Sequence, residues 1–192
     1  MTAPYTAPVL KPHYPITTQR LLLRPFTPGD LDAVNAYESR PDVTRYLYWD
    51  ARDRDTSRTF LDKKITRVAL LDEGDAIDLA ITLRDTGDLI GNCLLIWTSN
   101  HHRQGEIGYV LHPDHHGHGY APEAARAMLR LGFADLGLHR ITGRLDARNT
   151  ASARVLEKLG MRHEATLIDN EHVKGEWASE AIYAILDTEW TP

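Results

Sequence analysis

Two periods of apolar residues run through the chain, one of about 3.6 and one of 2, and together they divide it into helices and strands. Leu21-Leu22-Leu23 reads as a first strand. Thr27-Pro28-Gly29-Asp30 carries the marks of a helix start, with Thr27 as cap, Pro28 in the first turn and Asp30 facing the positive end. Leu31, Val34 and Tyr37 or Glu38 continue that helix until Pro41 breaks it. A short helical turn is expected over Val43 to Trp49, and a longer amphipathic helix over about residues 56 to 71, with Leu61, Ile65 and Val68 on one side. Ile77, Leu79, Ile81 and Leu83 then alternate with Asp78, Ala80 and Thr82, the pattern of a half-buried strand. After the turn Asp85-Thr86-Gly87-Asp88, Leu89 to Trp97 returns as its partner.

The most informative stretch runs from Glu106 to Leu136 and reads as a strand, a Gly/His-rich loop and a helix. Ala125, Met128, Leu129, Gly132, Phe133 and Leu136 recur at helical spacing, Pro122 sits where a first turn tolerates it, and Gly137 can cap the end. Gly117 and Gly119 bring bare backbone to the mouth of this helix, where unpaired N–H groups and the positive dipole end collect an anion. The loop is therefore built as a phosphate cradle. It contains no lysine, which excludes a GxxxxGK[ST] loop, and Pro122 stands where a GxGxxG dinucleotide fingerprint needs its third glycine. Beyond it come a strand at Ile141 to Leu145, a helix capped by Asn149 and ended by Gly160, and two strands around Asp169 to Gly175.

Residues 1–15 carry Pro4, Pro8, Pro12 and Pro15 and no periodicity, so they are expected to form an extended or disordered leader to one domain spanning 16–192. A net charge of −5 argues against a nucleic-acid partner held by charge. The single Cys93 excludes an internal disulfide, and no apolar run approaches the 18 residues of a membrane span, so a cytoplasmic protein without membrane attachment is expected.

His116-Gly117-His118-Gly119-Tyr120-Ala121 resembles the (Gln/Arg)xxGx(Gly/Ala) acetyl-CoA motif of the GNAT N-acetyltransferase superfamily, with His116 replacing Gln or Arg. Asn149-Thr150-Ala151-Ser152-Ala153-Arg154-Val155-Leu156-Glu157-Lys158-Leu159-Gly160-Met161 is similar to the NxxSxxVLEKLGF helix of that family's Rim-type branch, which acetylates protein N-termini. TTQRLLLRPFTPGDLDAV near the start and GEWASEAIYAIL near the end resemble the same branch, so the likeness covers roughly residues 16 to 190. It implies an α/β (α+β) fold, with a central, mixed, mainly antiparallel sheet flanked by helices. It also implies acetyl-CoA as acyl donor, no metal, and a primary amine as acceptor, either a protein N-terminus or a small molecule such as an antibiotic, in a monomer or homodimer. The loop amides of Gly117 to Ala121 then hold the pyrophosphate, Val110, Leu111 and His112 offer backbone to the pantetheine arm, and Asn149 contacts the pantetheine amides.

Transfer of acetyl from a thioester to an amine needs an anchored donor, a base for the amine, a donor for the developing oxyanion and a proton for the leaving thiolate. The base candidates are Glu106, an isolated charge on a central strand, and Glu171, which matches the position of the Rim branch's proposed base. Each also reads as an ordinary strand or surface carboxylate. The tyrosine that many relatives use as acid is Leu156 here, which moves the role to Ser152, the residue proposed in the Rim branch; Ser152 could equally bond only within the first helical turn. Asn149 reads as a helix cap, and the cap and the cofactor contact are compatible. His112, His115, His116 and His118 crowd the loop, either as a metal set, completed only by Asp114, or as cations beside the phosphates. A CoA-binding sensor and a transferase for a longer acyl group are the rival functional classes.

Overall fold

The computed structural model describes residues 9–191. The alternating segments pair into one eight-stranded sheet: β1 (Ile16–Thr17), β2 (Leu21–Arg24), β3 (Ala76–Leu83), β4 (Leu89–Ser99), β5 (Gln104–Leu111), β6 (Arg140–Asp146), β7 (Arg162–Val173) and β8 (Glu176–Leu186). Their spatial order is β1-β2-β3-β4-β5-β6-β8-β7. Every neighbouring pair is antiparallel except β5–β6, which is parallel and joins only Gln104, Gly105 and Glu106 to Arg140, Ile141 and Thr142. Beyond Glu106 the two strands part.

Helices cover both faces of the sheet. On one face lie α1 (Leu31–Glu38), α2 (Pro41–Thr44) and α3 (Arg54–Thr66), whose Leu31, Val34, Tyr37 and Leu61 cluster with Phe26 and Ala80. On the other lie α4 (Tyr120–Arg130) and α5 (Thr150–Lys158), bringing Ala124, Ala125, Met128, Leu129 and Leu156 onto the main core of Leu79, Ile81, Leu95, Ile107 and Ile141. This two-sided cover corrects the half-buried reading of β3, because its whole run from Ile77 to Leu83 is buried. The polar members are buried with partners: Thr82 donates to Leu22 O at 3.0 Å, and Asp78 accepts from Asn92 Nδ2 at 2.8 Å.

Helix α3 ends at Thr66 and not near residue 71, as the periodicity of Val68 suggested. Arg67 leaves helical geometry (φ −88°, ψ 69°), its carbonyl accepts from Asp78 N, and Leu70 exchanges both backbone bonds with Leu10 at 2.8 and 2.9 Å. Pairing with a segment sixty residues away thus outcompetes the local helix. Val9 to Pro15, the part of the expected leader among the described residues, is held by this bridge and by Tyr14, whose hydroxyl donates to Val68 O at 2.9 Å. The expectation for residues 1–8 falls outside them.

The short helix expected over Val43 to Trp49 instead starts at Pro41, which occupies its first position and so opens a helix as well as ending one. In the last hairpin the reversal is confined to Lys174-Gly175, both at positive φ, while 169–173 belongs to a bulged β7. α4 widens into a π turn at Leu131–Asp135 before Gly137 (φ 73°) stops it. Among the described residues no helix is long and apolar enough to cross a membrane.

Candidate active site

Gly119 forms the N-cap of α4 in a left-handed conformation (φ 80°, ψ 14°), which glycine adopts without steric cost. The turn exposes a row of amides. Among the described residues the N–H groups of Gly117, His118, Gly119, Tyr120 and Ala121 meet no protein acceptor, and Pro122 has no N–H to offer. Such a row at the positive end of an eleven-residue helix suits a phosphate anion.

Arg20, to which the sequence pattern assigns no role, holds this loop in place. Its Nη1 donates to His118 O at 2.8 Å, its guanidinium lies 4.7 Å over the Tyr120 ring, and its Nε donates to Glu123 Oε2 at 2.7 Å. Glu123 also accepts from Thr18 Oγ1 at 2.6 Å and Arg20 N at 2.7 Å. Burial alone raises the Glu123 carboxyl, yet these bonds keep it below the ordinary range.

The loop uses its own histidines. His116 Nε2 lies 3.1 Å from Leu111 O, tying the loop back to the end of β5. His112 Nδ1 accepts from Asp114 N at 3.3 Å, and the His118 ring stacks on Tyr120. Among the described residues no three His, Cys, Asp or Glu side chains gather as a metal set requires.

Val110, Leu111 and His112 lie beyond the last β5–β6 pair, so their β6 side borders the opening between the strands. Across that opening stands the first turn of α5. Asn149 is its cap, accepting from Ser152 N through Oδ1 at 3.1 Å, and its amide donors meet no acceptor among the described residues. The Tyr109 hydroxyl reaches over from β5 to Ser152, 2.9 Å from its carbonyl and 3.0 Å from its Oγ. Burial pushes the Tyr109 phenol up, against the opposing effect of its bond to Ser152. Leu156 is 2% exposed and rests on Gly143, where an added Cβ would stand 2.8 Å from both Leu156 methyls. Tyr109 escaped the sequence reading because its alternation with Ile107 and Leu111 marks it only as a core-facing strand residue.

The opposite face of β5 carries Glu106. Burial raises its carboxyl, Arg144 opposes that shift and Glu180 adds to it. Arg144 itself forks onto Glu180, with Nε to Oε1 at 2.9 Å and Nη2 to Oε2 at 2.6 Å, and Glu180 further accepts from Tyr48 and Asn170 at 3.1 Å each. That fork, helped by Tyr48 and Asn170, holds Glu180 below the ordinary carboxylate range although burial opposes it. Glu171 sits across the hairpin from Ala178 and lines a cleft with Tyr46, Tyr48, Glu176 and Glu180. Both base candidates therefore share electrostatic surroundings with Glu180, a residue the sequence did not single out.

Residues 20–162 match the family model described as an acetyltransferase (GNAT) domain. The uncharacterized N-acetyltransferase YnaD of Bacillus subtilis (strain 168) is 36% identical over 91% of this chain and 98% of its own length. The crystal structure of a GNAT-family acetyltransferase from Bacillus anthracis superposes with a TM-score of 0.82 at 34% identity, covering 91% of this chain and 99% of that one. A spermidine N-acetyltransferase from Vibrio cholerae, solved with CoA and spermine, shares the fold with a TM-score of 0.74 at 22% identity, over 90% of this chain and 98% of its own.

Proposed function

The chain belongs to the GNAT acetyltransferase family and is an acetyl-CoA-dependent N-acetyltransferase, and from that premise we propose how its residues divide the work. The amides of Gly117, His118, Gly119, Tyr120 and Ala121 take the pyrophosphate, with His116 and Arg20 fixing the loop that presents them. Val110, Leu111 and His112 line the path of the pantetheine arm, and Asn149 meets its amides while capping α5. Bound acetyl-CoA supplies the acetyl group as a thioester. Glu106 removes the proton of the attacking amine, a role suited to a carboxyl whose affinity for a proton is raised by burial. Ser152 serves the leaving sulfur as acid, and Glu171 borders the acceptor's entrance.

The observation that carries this reading is the run of five amides that meet no acceptor among the described residues at the mouth of α4. Calorimetric titration with CoA tests it. The wild type is expected to bind, and Gly119→Val, which forces a branched side chain to φ 80°, to lose at least about tenfold in affinity. A wild type without affinity for CoA overturns the assignment of the loop.

For the acceptor, the likeness of 149–161 to the Rim-type helix supports a protein N-terminal α-amine. A small polyamine is the second reading, favoured by Glu171 in a cleft with Tyr46 and Tyr48, where Glu176 and Glu180 are already paired with Arg148 and Arg144. Comparing kcat/KM for N-terminal peptides and for polyamines, by release of free thiol, decides between them. A cytoplasmic setting, in keeping with a lone buried thiol at Cys93, and a monomeric or homodimeric state complete the proposal.

A further inference from the structure

The Tyr109 hydroxyl on β5 bonds Ser152 in the first turn of α5, at the level of the proposed leaving-group acid, and joins residues 43 positions apart. A phenol has a single proton, and Tyr109 Oη has two oxygens of Ser152 within reach, at 2.9 and 3.0 Å. When the phenol donates to the Ser152 carbonyl, its contact with Ser152 Oγ is a hydrogen bond only if the serine donates, which commits the serine proton to Tyr109. When the phenol donates to Ser152 Oγ, the serine proton is free to point elsewhere.

Resting on the assignment of Ser152 as acid, we propose that Tyr109 is a positioning residue: by donating to Ser152 Oγ, it directs the serine proton at the departing sulfur of CoA.

The amine lone pair forms the new C–N bond, the amine proton passes to the Glu106 carboxylate, and the C–S bond breaks with its electron pair on sulfur. The Ser152 proton moves to that sulfur, the serine oxygen is held by the phenol's hydrogen bond, and water relays to it the proton that Glu106 took from the amine, so that both side chains are restored as CoA leaves. Tyr109 keeps its own proton throughout, as burial that opposes a phenolate requires. The arrangement also accounts for Leu156. With that position closed by packing on Gly143, a hydroxyl pair built from β5 and the start of α5 takes the place of a phenol from the middle of the helix.

Titrating the thiol of bound CoA through the ultraviolet absorbance of its thiolate tests this without relying on turnover. Donors aimed at the sulfur stabilise its anion, so in the wild type the bound thiol is expected to ionise at lower pH than free CoA. Ser152→Ala and Tyr109→Phe are each expected to move that titration up by about one pH unit, a tenfold fall in thiolate at a given pH. The double variant should move little further, and Ser152→Thr, which keeps a hydroxyl, should restore the wild-type value. A Tyr109→Phe variant that melts and binds CoA as the wild type does, with an unshifted thiol titration, overturns the role of Tyr109 alone. A titration that ignores Ser152→Ala as well overturns the assignment of Ser152, and the proposal with it.

Discussion

Glu106 and Glu180 are carboxylates of one face that their surroundings have driven apart, one raised by burial and the other pinned low by the Arg144 fork. Such a split fits the proton transfer proposed for the first and leaves the second to anchor charge. Since the base works only when ionised, kcat/KM is expected to rise with pH through the elevated Glu106 value. Glu106→Gln should abolish that limb and lower kcat by about 10²–10⁴-fold. Arg144→Gln removes the nearby cation, which lifts the Glu106 value further, so its acidic limb should move to higher pH; a pH–rate profile for the three proteins reads both effects. At the loop, Arg20→Ala strips the partly exposed fork from Glu123 and the tether from His118 O. It is expected to cost about 1 kcal/mol of stability in urea titrations and several-fold in CoA affinity by calorimetry.

Among the elements, α5 is placed by how closely it approaches β6. Gly143→Val inserts atoms where Leu156 methyls already stand 2.8 Å from a would-be Cβ, so it should destabilise by about 1–3 kcal/mol and lift the Asn149–Ser152 turn off its seat. Denaturant unfolding and CoA affinity, expected to fall together, check this. Elements of this kind were legible where one segment decides its own shape. The glycine loop, the stripe of α4 and the Asn149 cap all stand where pattern and cap chemistry put them. What could not be read was set by partners far along the chain. Leu10 captures Leu70 and shortens α3, helices on both sides bury Asp78 and Thr82, and Thr18 and Arg20 reach Glu123 across more than one hundred residues. The Tyr109–Ser152 pair belongs with these, since alternation along β5 tells which face a side chain takes and not what waits there.

For the molecule as a whole, the helices over Glu106's face are fastened by buried charge. Glu38, its side chain 1% exposed, meets Arg52 at 3.0 Å and Lys64 at 3.2 Å, and accepts from Ser57 at 3.2 Å. The Arg52 guanidinium is sandwiched between Trp49 and Phe60 at 3.9 and 3.6 Å. Glu38→Gln leaves Arg52 without its counter-ion and Lys64 with only Asp78, at 4.0 Å, and should cost about 3 kcal/mol, lowering Tm by about 6–12 °C in calorimetry. The sheet itself has a weaker seam. Three residue pairs join β5 to β6, after which five strands lie on one side of the gap and three on the other. A molecule wedged there acts as a keystone between two leaves. Amide deuterium uptake along 104–111 and 140–146 should therefore slow sharply once CoA is added, while the α1–α3 layer exchanges at an unchanged pace.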